Sequence, residues 1–343
     1  MSREKILGSQ FPQDEEERTL RPQKMSDMVG QREVFERLLI AVDAASKRDD
    51  PLGHILFDGP PGLGKTTFAT CIPRELGVHL EMTSGAAIKA PKDLLPYLTN
   101  LQEKTVFFID EIHRLPTAVE EYLYTAMEDF RIDLVLGEGI NARTINMSLK
   151  PFTLIGATTR AGLLSSPLRD RFQFREHLEF YSDQELTEIV TRNAQKLQVT
   201  IEPDAASIIA QRSRGTPRVA NNRLRCVRDY VTSKADGHIT CQLAQDALKM
   251  WGVDQRGLDK QDRKYLETLI RVFDGGPVGI EALAHTMNTA VDTLSDEVEP
   301  YLLRSELLIR SPRGRMATDL AWQHLQLTPK TTPQGDDQNT LFN

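Results

Sequence analysis

The chain has 343 residues, with 42 Lys and Arg against 49 Asp and Glu, for a formal net charge of −7. Its 40% hydrophobic and 27% charged residues exclude a wholly disordered chain and a coiled-coil rod, and at about 100–200 residues per domain it holds two or three domains. The longest apolar run in the middle of the chain, Val106–Ile109, falls far short of the roughly 20 residues that span a bilayer. The N-terminal stretch carries Asp14-Glu-Glu-Glu17 and no apolar core, so no secretory signal is expected. Cys71, Cys226 and Cys241 are widely spaced, which fits a reducing cytoplasm and gives no disulfide framework. The histidines form no pair at ligand spacing, so no protein-bound zinc is expected.

Polar composition without periodicity makes residues 1–19 and 331–343 flexible tails. Within a first domain, 20–182, short apolar runs predict strands at His54–Asp58, Thr105–Asp110, Phe152–Gly156 and His177–Phe180. Continuous apolar runs suit a parallel sheet buried on both faces. Val119, Tyr122, Leu123, Ala126 and Met127 recur at helical spacing between them, so the class is α/β with helices on both faces of the sheet. Residues 183–254 read as a small all-α lid. Residues 255–330, with helices over 262–273 and 290–303 before a turn at Ser311–Arg315, read as a winged helix.

The strongest motif is Gly59-Pro-Pro-Gly62-Leu-Gly64-Lys65-Thr66-Thr67, a G-x-x-x-x-G-K-[ST] loop between a strand and a helix. Its glycines let backbone N–H groups wrap a phosphate at the positive end of a helix. In that role Lys65 reaches the β- and γ-phosphates of ATP and Thr66 holds Mg²⁺. Pro73, two turns into the helix, is expected to kink or end it.

The strand ending Asp110-Glu111 delivers two carboxylates. Asp110 suits Mg²⁺, and Glu111 suits deprotonation of an attacking water, which a small-molecule kinase does not need. Thr158-Thr159 after the next strand is either a hydroxyl pair at the γ-phosphate or a helix cap. Arg169 and Arg171 flank Asp170: one of them is a finger reaching a neighbouring subunit's phosphate, or both are surface ion-pair partners. Six arginines and no acid lie between Arg212 and Arg228. Arg218 there suits a nucleotide clamp, and most of the others a solvated helix face. The stretch 129–149 alternates about Gly137-Glu-Gly139 as a hairpin, packed on its own domain or docking a protein. Arg310, Arg313 and Arg315 on the wing suit DNA phosphates, with protein binding as the alternative.

In this order the motifs resemble an AAA+ ATPase, and their wording resembles the RuvB family of Holliday-junction branch-migration motors. The resemblance runs from about Leu20 to Leu327, through Phe108-Ile-Asp-Glu-Ile-His-Arg-Leu115, Thr153–Gly162, Ser166–Phe172, Arg214–Arg218, Gly275–Gly279 and Ser311–Thr318. It implies an AAA+ P-loop domain, a lid and a winged helix, in a homo-hexameric ring on double-stranded DNA at four-way junctions. ATP hydrolysis would drive branch migration in recombination and repair. Leu20, Arg21 and Val29-Gly30 would flank the adenine. Lys65, Thr66 and Thr67 would hold phosphates and Mg²⁺, while Glu128, Asp129, Phe130, Tyr181 and Arg218 close on the nucleotide. Thr159 would be the sensor and Arg171 the finger in trans, with Arg169 the runner-up. A RuvA-type junction-binding protein would dock on the 130–149 hairpin, with a RuvC-type resolvase a further partner. Asn288–Asp292 lacks the basic residue common there in the family. Two other readings are a nucleotide-switched loader that does not translocate, and a protein unfoldase. Against the second stands the lack of an aromatic pore loop.

Overall fold

Residues flanked by apolar neighbours on both faces must be covered from both sides, and three central strands meet that condition. The structure is a computed structural model that describes residues 16–17, 19–136 and 143–328. Its strands in the first part of the chain are β1 (Ile55–Asp58), β2 (Leu80–Ser84), β3 (Val106–Asp110), β4 (Arg131–Leu136), β5 (Arg143–Ser148), β6 (Thr153–Ala157) and β7 (Phe174–His177). Five of them form a parallel sheet in the order β2-β3-β6-β1-β7. The buried apolar residues of β1, β3 and β6 form its centre. Because the strands are parallel and β6 lies between β1 and β3, the loops after all three emerge side by side at one edge. This fixes the site.

Helices α1 (Arg32–Arg48), α2 (Lys65–Leu76), α3 (Pro91–Asn100), α4 (Thr117–Asp129) and α5 (Ser166–Asp170) intervene between strands or precede them. Val119, Leu123, Ala126 and Met127 of α4 join Phe107, Ile109, Phe152 and Leu154 in one core cluster. The lid follows at once: Ser182 caps α6 (Asp183–Lys196) in a reciprocal box with Glu185. Three more helices complete it, α7 (Pro203–Gln211), α8 (Pro217–Lys234) and α9 (Cys241–Met250). Glu16 and Glu17, assigned to the tail by the sequence, pair with Arg228 and Arg21. Residues 1–15 and 18, and the proposed C-terminal tail, lie outside the described residues.

The chain divides after Trp251 into two compact units. The second contains α10 (Lys260–Arg271), α11 (Ile280–Met287), an irregular helical run from Val291 ending in α12 (Glu299–Arg304), the hairpin β8 (Leu308–Ser311) and β9 (Gly314–Ala317), and α13 (Asp319–His324). Its core is Tyr265, Leu266, Leu269, Leu283, Leu294, Leu302 and Leu307. A backbone bridge from Val278 to Arg315 extends the hairpin. No described helix is long and apolar enough to cross a membrane.

Several expectations need correction. The last strand of the sheet is Phe174–His177, not 177–180. Its register with β1 runs from Ile55↔Phe174 to Asp58↔His177, and only Leu178 N–H continues it, to Asp58 O. As an edge strand it is only partly buried, so no continuous apolar run marks it. Strand β2, the opposite edge, carries no such run either and is absent from the sequence reading. Helices α11 and α13 are likewise additions. The wing turn is only Pro312-Arg313, because Ser311 pairs with Gly314. Pro73 does not end its helix, which runs to Leu76. Gly77 is left-handed there, Val78 N–H donates to Pro73 O and Gly77 N–H to Arg74 O. Pro73 thus sits in the final turn of a Schellman end. The hairpin pairs as expected, β4 against β5, with its tip 137–142 outside the described residues.

His54, at the entry to β1, ties the sheet to α4. Leu154 N–H donates to His54 Nδ1 at 2.9 Å, so the ring proton lies on Nε2, 3.2 Å from Met127 O. Burial pulls its pKa below the ordinary 6.5, because a second proton would leave a buried charge and displace Leu154. A depressed histidine contributes stability above its unfolded pKa and loses it as pH falls. Below about pH 6.5 the native state should therefore lose stability by up to about 1.4 kcal/mol per unit from this residue. Urea unfolding at pH 7.5 and 5.5 should give a smaller pH loss for His54→Leu than for the parent. Equal losses would rule the histidine out.

Candidate functional site

The three neighbouring loops at the sheet edge, with the lid, enclose a cavity of about 780 Å³. It is lined by Gly62, Gly64, Lys65, Thr66 and Thr67 and by Asp110, Glu111 and Thr159. Lys65 is 7% exposed and its ammonium donates to Gly59 O at 2.6 Å and Pro60 O at 2.8 Å. Burial pulls its pKa down to about 8, against the opposing pull of Glu111 and Asp110. A buried cation held by two carbonyls, beside the N–H groups of the first turn of α2, is a cradle that an anion completes. Thr66 Oγ1 lies 3.5 Å from Asp110 Oδ2. One hydroxyl and one carboxylate beside a phosphate site are what Mg²⁺ accepts when phosphates and water supply its other ligands. The donor set therefore fits an Mg²⁺–nucleotide.

The lid meets the loop directly. Arg218 N–H, at the start of α8, reaches Gly62 O at 3.4 Å. A Cβ at Gly62, whose φ is +81°, would stand 2.7 Å from Thr216 Cγ2 and 3.1 Å from Arg218 Cβ. Only glycine lets loop and lid approach this closely. Tyr181 donates from its hydroxyl to Leu63 O, and its backbone N–H donates to Gly215 O. Leu20, Arg21 and Val29 also line the cavity, with Ile189 of α6.

Several assigned residues stand apart from the cavity formed by their own chain. Gly59 is behind it, bonded by Lys65. Phe130 packs on His54 and Phe152 with centroids 6.4 and 5.8 Å away, at the root of the hairpin. Asp129 pairs with Arg131 at 3.3 Å. Glu128 pairs with Arg171 at 2.6 Å. Arg171 is also 5.0 Å over the Tyr124 ring, donates to Pro167 O, and keeps a buried Nε with no partner among the described residues. Arg171 and Glu128–Phe130 are therefore not around the pocket of their own chain. Asp170 pairs with Arg175 and Arg169 bonds Ser166, so the alternative to the finger, a surface pair of Asp170 with Arg169 or Arg171, does not form among the described residues. Neither threonine caps a helix. Thr159 lines the cavity, and Thr158 accepts from Arg160 N–H and contacts His113.

Sequence reasoning missed Glu17, Arg192, Asn193, Lys196, Asn221, Asn222 and Arg225, all of which line the cavity. Spacing held the signal for part of this set: Asn221, Asn222 and Arg225 follow Arg218 by three, four and seven residues, one helical face. Arg218 lies in the cavity as its clamp reading expects, whereas the solvated-face reading of the other 212–228 arginines fails for Arg225 in the cavity, for buried Arg223, and for Arg228 held by Glu16.

In the second unit the wing arginines separate. Glu299 is fully buried. Its carboxylate accepts from Tyr265 Oη at 2.7 Å, from Arg310 Nε at 2.8 Å and from Arg315 Nε at 3.0 Å. Arg310 and Arg315 thus spend their charge inward. Arg313, at the exposed tip, has no partner among the described residues.

Family models bear on the whole of this arrangement. They match the Holliday junction DNA helicase RuvB P-loop domain at 20–178, the RuvB AAA lid domain at 181–254 and the RuvB C-terminal winged helix domain at 255–326. The chain belongs to the RuvB family. A relative from Rhodopirellula baltica, the Holliday junction branch migration complex subunit RuvB, is 65% identical over 308 residues, 90% of this chain and 84% of the relative. The solved RuvB Holliday junction branch migration motor of Thermotoga maritima superposes with a TM-score of 0.83 at 46% identity, covering 90% of this chain and 99% of that one. A lysine-to-arginine variant of the Thermotoga RuvB gives 0.84 at 45% identity, over 90% and 98%.

Proposed function

We propose that this RuvB-family chain is an ATP-driven motor that moves Holliday junctions, acting in the cytoplasm as a homo-hexamer with a RuvA-type partner. The observation that carries the reading is the convergence of Lys65, Asp110, Glu111 and Thr159 on one cavity, with Arg218 reaching it from the lid. Lys65 and the α2 N–H groups bind the phosphates, Thr67 beside them. Thr66 and Asp110 would hold Mg²⁺, which when bound offsets charge between the phosphates. Glu111 takes the proton of the attacking water, Thr159 positions that water, and Leu20 and Arg21 flank the base. Arg171 does not line the cavity of its own chain and acts on a neighbour's. Glu128 accompanies it on that surface, which accounts for the position of 128–130 better than a role in cis. The lid contact at Gly62 lets nucleotide state move the lid against the loop. Arg313 contacts duplex phosphate, while Arg310 and Arg315 hold the wing that presents it. The β4–β5 hairpin is the surface offered to the RuvA-type protein, and a RuvC-type resolvase acts downstream.

Dissociation of a synthetic four-way junction by the purified protein with ATP and Mg²⁺ tests this. ATP-dependent conversion to duplex products, raised by RuvA, supports the motor. ATP hydrolysis without conversion would favour a nucleotide-switched loader.

A further inference from the structure

His113 lies three residues beyond Asp110 and outside the residues lining the cavity, yet it touches both sides of the hydrolytic machinery. Its Nδ1 is 2.8 Å from Thr158 Oγ1, and its Nε2 is 3.4 Å from Glu111 Oε2. Thr158 is fully buried, and its oxygen already accepts from Arg160 N–H at 2.9 Å. The Thr158 proton is therefore free to point at Nδ1. With Nδ1 accepting, the ring proton belongs on Nε2, facing the carboxylate. The opposite tautomer would set a lone pair against Glu111, which is repulsive. Backbone geometry places Glu111 for this contact. It is left-handed, with φ 51°, uncommon for a residue with a side chain. The turn fits only because residue 85 is glycine: a Cβ there would stand 2.4 Å from Glu111 O.

We infer that His113 is a positioning residue for Glu111, and that through Thr158 it ties the carboxylate to the loop carrying Thr159. The inference rests on the reading of Glu111 as the base. One carboxylate oxygen held by Nε2–H leaves the other aimed at the water. The Thr158–His113 contact passes any displacement of the loop at the γ-phosphate end to that carboxylate. Glu111 and Thr158 belong to adjacent strands' loops 47 residues apart, and the imidazole spans them.

Steady-state ATP turnover and nucleotide affinity of His113→Ala, His113→Gln, Thr158→Val and the His113→Ala/Thr158→Val pair test it, with Glu111→Gln alongside. His113→Ala should lower kcat about tenfold to a hundredfold, the scale of a misplaced catalytic group, with KM and ATP affinity unchanged. His113→Gln keeps an N–H near the Nε2 position and should recover part of the loss. Thr158→Val should lower kcat on its own, and the double variant should be no slower than His113→Ala, as for two links of one chain. A His113→Ala kcat within twofold of the parent, a loss expressed in KM, or additive losses would overturn the inference. Should His113→Ala not fold, Thr158→Val decides alone: unchanged kcat overturns it. Full turnover in Glu111→Gln would instead sink the base assignment, a separate outcome.

Discussion

Glu111→Gln is expected to bind ATP as tightly as the parent and to turn it over about 10²–10⁴ times more slowly, the usual contribution of a general base. The side chain is 37% exposed at the cavity and lies 3.4 Å from His113 Nε2. The amide keeps volume and shape, so the loop that makes Glu111 left-handed is undisturbed. Phosphate binding rests on Lys65 and the α2 N–H groups, which the change does not touch. Removing a negative charge near Lys65 leaves nucleotide affinity equal or raised. Turnover within tenfold of the parent, with binding intact, would mean that another group activates the water.

Glu299→Ala is expected to destabilise the winged unit by about 3–5 kcal/mol, the cost of breaking a buried ion pair. Two guanidinium groups and a phenol converge on one fully buried carboxylate. Taking it away leaves Arg315, only 21% exposed, without its counter-ion, and strips Tyr265 of its acceptor. Arg310 is 46% exposed and can turn to water, which places the cost toward the lower end. Calorimetry of the full chain should show the loss in a transition separable from that of the ATP-binding unit. ATP affinity should stay unchanged, because Glu299 and the cavity belong to different compact units. An unshifted transition would show that the cluster contributes nothing net, and that Arg310 and Arg315 are as available to DNA as Arg313.

How far the sequence speaks follows from where each residue lies. Strands β1, β3 and β6 are legible because burial on both faces demands unbroken apolar runs such as Val106-Phe-Phe-Ile109. Strands β2 and β7 sit at the sheet edges, half covered, where the same demand does not apply, and there the reading missed one and shifted the other. The phosphate loop and Asp110-Glu111 are legible because glycine spacing and adjacent carboxylates are local. The Glu299 cluster and the His113 bridge are not, since each depends on partners 11 to 45 residues away that only the fold brings together. The same limit hid the pairing of Arg171 with Glu128, 43 residues apart. Pro73 was legible as a break, but Gly77 turned that break into an orderly helix end.

In the proposed motor each cavity is completed by a neighbour's Arg171. Mixing two inactive proteins tests it most directly. Glu111→Gln subunits keep the finger and lose the base; Arg171→Ala subunits keep the base and lose the finger. Mixed rings contain interfaces where an intact cavity meets an intact finger, so ATP turnover and junction dissociation should reappear on mixing and peak at intermediate ratios. Mixtures no more active than either protein alone would place Arg171 in its own subunit's site and contradict the account.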